Sequence, residues 1–272
     1  MGHIRLLIDE NEELTIEALT NLFELLSNKT VGENVFPTMW KGFSREQVQQ
    51  LMQCIYGRSA VSVDWRRLVL CLSQPYPLPS SQDLLTALSS MRSTLDGRNN
   101  KMITREEYMS VPIWLDERAD EDRNARLKPF FFELFKDNSC DTLDYMNMLL
   151  LLCSSPDGQE GFFKALSIIK GEPITSSSDT DIALSELQKV INFGATESVP
   201  SHESIQEIYD RVGGGGGEKG EDSISTLPLS SLIQDTSLLR LINACNQYHL
   251  PDVVSVVIPR PPSMEPRLPT SE

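Results

Sequence analysis

The chain has 272 residues, 40% of them hydrophobic, and its 24 Lys+Arg against 39 Asp+Glu leave a formal charge of −15. That length holds roughly one to three domains with real cores. An acid surplus with scattered basic residues repels phosphate backbones, which excludes nucleic acid as an expected partner. The longest unbroken apolar run, Met148 to Cys153, is far short of the roughly twenty residues that cross a bilayer, so no membrane span or membrane partner is expected.

The opening Met1 to Glu10 stretch is too short in its apolar part for a signal-peptide core, and Leu6 stands where myristoylation wants a small hydroxyl residue. A cytoplasmic chain is the expectation. Five widely spaced cysteines (Cys54, Cys71, Cys140, Cys153, Cys245) fit buried thiols in a reducing compartment better than a disulfide framework.

In chain order, a helix is predicted over Leu14 to Leu26, with a shorter copy of the repeat described next running on through Asn28 to Val35 into Phe36 to Phe43. A second helix spans Arg45 to Tyr56, opened by the capping box Ser44-x-x-Gln47. A phrase then recurs: an aliphatic residue, a polar cap, and an apolar stripe at helical spacing. Val63 and Asp64 lead into Trp65, Leu68, Val69 and Leu72, and a Pro-rich joint follows at Pro75 to Pro79. After a helix over Gln82 to Met91, Ile103 and Thr104 lead into Tyr108, Val111 and Leu115. After a helix over Leu127 to Lys136, Leu143 and Asp144 lead into Tyr145, Met148, Leu149 and Leu152.

Beyond the break at Ser154-Ser155-Pro156 come a helix over Gly158 to Lys170, then Leu184 and Ser185 with Leu187, Val190 and Ile191. A helix over Glu203 to Val212 is followed by Ile224 and Ser225 with Leu229, Leu232 and Ile233. The aliphatic lead positions 63, 103, 143, 184 and 224 are 40, 40, 41 and 40 residues apart. Thr104-x-x-Glu107 and Ser185-x-x-Gln188 offer further capping boxes. Residues 175–181 and 213–222, rich in Ser/Thr/Asp and in Gly, read as disordered loops, and 259–272 as a disordered Pro-rich tail.

A helix, a loop, one aliphatic residue and a second helix, taken in pairs, is the plan of an EF-hand. The expected fold is therefore all-α: tandem EF-hand-like helix-loop-helix pairs over 1–74, 80–155 and 157–258, with minimal β-bridges between paired loops. A calcium loop needs oxygen ligands at its first, third, fifth, ninth and twelfth positions, Gly at the sixth and an aliphatic at the eighth. With Ile103 eighth, Asp96, Asn100 and Glu107 fit the first, fifth and twelfth positions, but Arg98 replaces the third ligand and Lys101 the Gly. Two cations oppose a dication already short of ligands. Counting back from Leu143 gives Lys136 first and Asn147 twelfth; from Val63 it gives Tyr56 and Arg67. No metal or cofactor is expected.

Catalytic constellations are absent too. His3, His202 and His249 stand in no triad or metal spacing, and no Gly-rich loop ends in Lys-Ser/Thr. Phe130, Phe131 and Phe132 lie in an aromatic run too long to point inward throughout; core packing is the first reading and a mixed core and partner-contact role the alternative, while Trp40, Trp65 and Trp114 read as core anchors, with Trp114, if exposed, the other candidate partner contact.

Val63-Asp64-Trp65-Arg66-Arg67-Leu68, Gln74-Pro75-Tyr76-Pro77-Leu78-Pro79, Ile103 to Met109 and Phe131 to Phe135 resemble the C-terminal part of the sperm flagellar protein 2 family. So do Leu143-Asp144-Tyr145 with Met148-Leu149-Leu150, Glu160-Gly161 with Lys164 to Ser167, and Leu232 to Asp235 on through Pro251 to Val253. The resemblance implies a degenerate, calmodulin-like region of a long scaffold in a projection on one central-pair microtubule of the axoneme. Its implied partners are other axonemal central-pair projection proteins, its implied location the cilium or flagellum, and no catalytic residue carries over. The leading reading is a constitutive docking module that holds partner helices without calcium. A calcium-responsive switch and a HEAT-like α-solenoid, which shares the forty-residue period, are the alternatives.

Overall fold

The computed structural model describes residues 14–27, 43–57, 62–73, 76–95, 101–117, 121–137, 140–195, 202–213 and 226–253. Asp96, Arg98, Asn100, Ile224, residues 214–222 and the 259–272 tail lie outside them.

Helix placement follows from caps. Arg45–Tyr56 (α2) opens where Ser44 Oγ accepts the Gln47 amide at 3.3 Å and the Gln47 side chain accepts the Ser44 amide at 2.9 Å. Asp64 caps Trp65–Leu72 (α3) by accepting the Arg66 amide, and Ser80 and Asp83 box Ser81–Thr94 (α4). Thr104 and Glu107 box Arg105–Ser110 (α5). Trp114–Glu117 (α6) and Glu121–Phe135 (α7) follow, and Asp144 caps Tyr145–Leu151 (α8). Asp157 caps Gly158–Lys170 (α9), which ends on Gly171 at φ 83°, a left-handed position that suits glycine.

Short antiparallel strand pairs join these helices. Leu14–Thr15 (β1), which precedes Ile16–Ser27 (α1), pairs with Ser62–Val63 (β2), Leu14 opposite Val63. Met102–Thr104 (β3) pairs with Thr142–Asp144 (β4), Ile103 opposite Leu143, and Tyr145 N extends the ladder to Lys101 O at 3.2 Å. Asp181–Ala183 (β5), between α9 and Leu184–Gly194 (α10), pairs with Thr226–Pro228 (β6), which lies between His202–Val212 (α11) and Leu229–Leu232 (α12). Here Ile182 stands opposite Leu227, and Leu229 N extends the ladder to Thr180 O at 2.9 Å. Val63, Ile103, Leu143 and Ile182 are buried, so each pair pins two helix units over the core.

Four sequence expectations need correction. Leu14 begins a strand, not a helix, and the helix starts at Ile16; the shorter copy over Asn28 to Phe43 lies outside the described residues but for Phe43. In the last unit the strand centre is Ile182, not Leu184, because Leu184 already starts α10. Ser185 is therefore not a cap: the Glu186 carboxylate accepts the Ala183 amide at 2.8 Å and does that work from inside the helix. Residues 175–181 are not a structureless loop. The Thr175 amide donates to Ser178 Oγ at 2.9 Å, Ser178 N donates to Thr175 O, and Asp181 enters β5.

The core is one continuous buried cluster from Leu19 to Val253. Its closing piece is Thr236–Ala244 (α13) and the 3₁₀ turn Asn246–Tyr248. Ser155 N donates to Tyr248 O and Leu250 N to Ser155 O, while Tyr248 OH reaches Val190 O at 2.8 Å. Tyr248 fits because Gly161 and Gly194 have no Cβ: one at Gly194 would meet the Tyr248 ring and, at 2.8 Å, Cys245 Cβ. No helix among the described residues is long and apolar enough to cross a membrane.

Candidate functional site: a three-unit cleft and its loops

A cleft of about 560 Å³ opens where the three helix groups meet. Asp64 and Arg66 line it from the first, Phe135, Asp137 and Asp144 from the second, and Phe193 from the third. Local folding fixes these side chains. Asp64 and Asp144 are held as helix caps, and Arg66 Nε donates to Leu134 O at 3.3 Å, tying α3 to the end of α7. The cleft carries aromatic surface beside carboxylates, and its described lining residues include no His, Cys or Ser-His grouping.

Beneath it, Arg67 is 4% exposed and has no carboxylate partner in its hydrogen bonds. It donates to Ile55 O at 3.0 Å, Gln247 O at 2.6 Å and His249 O at 2.7 Å, and also to Asn246 O. One planar guanidinium thus closes the end of α2 and the 3₁₀ turn together, a fork geometry that lysine cannot copy. Burial pulls its pKa below the ordinary value. The same burial lifts the Cys71 thiol to about 11 and the Cys245 thiol to about 12, so neither is a thiolate nucleophile at neutral pH.

In the described parts of the three counted loops, caps and cations occupy several positions where a calcium loop carries ligands. Of the ligand candidates and opposing cations named in the 96–107 loop, Lys101, which is exposed, and Glu107 are described. The Glu107 carboxylate accepts from the Thr104 amide at 2.9 Å and its hydroxyl at 3.0 Å, a capping duty. In the 136–147 loop, Lys136 at the first position sends its ammonium to Asp141 at 2.7 Å and Glu133 at 3.1 Å, and these bonds, Asp141 first, raise its pKa. Asp141 holds φ 50° at the sixth position, where a calcium loop has Gly. In the 56–67 loop the first position is buried Tyr56 and the twelfth is Arg67, turned inward. Among the described residues no three His, Cys, Asp or Glu side chains gather as a metal set.

The expected partner-contact aromatics are mostly core. Trp114 is 3% exposed, because α6 folds back so that its indole N–H donates to Pro77 O at 2.9 Å. Phe131 and Phe132 are fully buried against Tyr76 and Tyr108, ring centroids 5.7 and 5.6 Å away; only Phe130 is half-buried. Arg67 and Lys170 are the consequential residues that sequence reasoning passes over. The signal for Lys170 is its lone basic charge closing a helix ahead of an acid-rich loop.

The SPEF2 C-terminal domain family matches residues 11–176. Sperm flagellar protein 2 of Sus scrofa is 28% identical over 275 residues, covering 88% of this chain and 15% of the pig protein. The Homo sapiens protein of the same name is 28% identical over 83% of the chain and 13% of its own length, and that of Mus musculus 28% over 75% and 14%. The chain thus spans only about a seventh of the relatives it matches, and it belongs to the SPEF2 C-terminal domain family.

Proposed function

We propose that the chain is a non-enzymatic protein-interaction module of the ciliary and flagellar axoneme, built from three EF-hand-like pairs over 1–74, 80–155 and 157–258. It docks partner helices of other central-pair projection proteins and does so without calcium regulation. The relatives' name supports the flagellar setting, and the strand-linked helix pairs support the EF-hand-like description. The observation that carries the docking role is the cleft where all three helix groups contribute, with Phe135 and Phe193 beside Asp137 and Asp144. Its apolar surface with an acidic rim suits a basic, amphipathic helix.

The test is a photo-crosslinking residue at Asn192, an exposed cleft position, in the full-length protein within motile cilia. Crosslinks to central-pair projection proteins support the reading. Crosslinks confined to outer-doublet proteins, or none above a control placed at exposed Met109, refute it.

A further inference from the structure

The corrected strand register brings a fourth loop into view. With Ile182 eighth, the twelve-residue loop runs from Thr175 to Glu186: hydroxyls of Thr175 and Ser177 stand first and third, Asp179 fifth, the Asp181 carbonyl seventh and Glu186 twelfth. These are ligand positions of a calcium loop, the last two its backbone carbonyl and its closing carboxylate, while the sixth is Thr180 in place of Gly and the ninth is Ala183, which offers no side-chain ligand. Both are already engaged by one side chain. Lys170, the final residue of α9, donates from Nζ to Asp181 O at 2.8 Å and reaches Glu186 Oε2 at 3.5 Å. The pair is largely covered, Lys170 at 24% and Glu186 at 21% side-chain exposure, where a charge-assisted contact is less screened than at an open surface. The same carboxylate accepts the Ala183 amide, so the ammonium, β5 and the first turn of α10 share one acceptor.

We propose that the Lys170 ammonium is the built-in cation of this loop, doing with a tethered charge what a dissociable divalent ion does in a metal-binding loop of the same length. The loop is then permanently closed, and the third pair holds its shape whatever the calcium concentration. The inference rests on the loop spacing of the EF-hand-like reading and not on the docking role, which the Asn192 crosslinks decide separately.

The test uses the whole chain and calcium alone as the probe. K170M removes the charge and keeps the length; K170R keeps a charge. Thermal unfolding and calorimetric titration are run in chelator and in rising calcium. The expected result is a wild type and K170R whose midpoints ignore calcium, and a K170M whose lowered midpoint climbs by about 4 °C as calcium passes ten times half-saturation. Half-saturation is expected on the order of millimolar, since only two carboxylates remain, and K170M/E186Q should lose the response. If K170M is unfolded in chelator, folding on calcium addition, followed by circular dichroism, decides the question in the same way. A K170M with no calcium response, destabilised or not, overturns the proposal. So does a wild type that binds calcium and stops doing so when Glu186 becomes Gln.

Discussion

Replacing Arg67 with Met removes the guanidinium while keeping most of the apolar stem. Four carbonyl oxygens then lose the Arg67 donor, Asn246 O keeping the His249 amide, and the bonds to Ile55 O and Gln247 O are buried ones. An orphaned buried acceptor costs about 1–3 kcal/mol, so these two alone cost about 2–6 kcal/mol. Relief from burying an uncompensated charge offsets part of this, and losses at comparable buried ionic sites centre on about 3–5 kcal/mol. At about 2–4 °C per kcal/mol for a chain of this size, the midpoint should fall on the order of 10 °C. The assay is thermal unfolding by circular dichroism with hydrogen exchange on the Ser155 and Leu250 amides, whose bonds to the last turn should open first. R67K, a point charge that cannot reach four carbonyls, should fall in between. A variant within about 1 kcal/mol of wild type would refute the claim that this side chain fastens the two ends of the chain.

Gly194→Ala should lose about 1–3 kcal/mol in a urea titration, because the added Cβ meets the Tyr248 ring; an unchanged midpoint would mean the ring moves freely. Burial first, and Arg67 second, hold the His249 pKa below 6.5. The folded state therefore resists a proton that the unfolded chain takes up, so stability is unaffected above about pH 6.5 and falls below it. The drop in midpoint between pH 7.5 and 5.5 should be smaller in His249→Asn, and equal drops would contradict the assignment. Arg98→Asp with Lys101→Gly should raise calcium affinity of the 96–107 loop steeply by calorimetry; flat heats would show that these two cations are not what bars the ion.

Much of the architecture is local and so is readable in the sequence. Val63, Ile103 and Leu143 each stand directly before a side-chain cap, Asp64, Thr104 or Asp144, so the signal lies beside the strand it marks. The last pair misleads because Ile182 and Leu184 are two apart and share one face of an extended chain. What decides between them is the pairing with Leu227, 45 residues on, and the reach of Glu186 to Ala183. The aromatic sites are illegible for the same reason: nothing near Trp114 announces that the carbonyl of Pro77 will meet its indole. Nothing local marks Arg67 apart from its neighbour Arg66, and only the fold turns it inward onto a turn about 180 residues away.

That separation has a consequence during synthesis. Three of the four acceptors for Arg67 leave the ribosome 179 to 182 residues after it, an interval of about 9 to 36 s at about 5–20 residues per second. Until then the nascent first unit carries its cation in water or against provisional neighbours, and it cannot reach its final packing. A chain cut before Asn246 keeps Ile55 O as the one acceptor of those four that Arg67 can reach, and the Trp65–Leu72 helix stays unfinished.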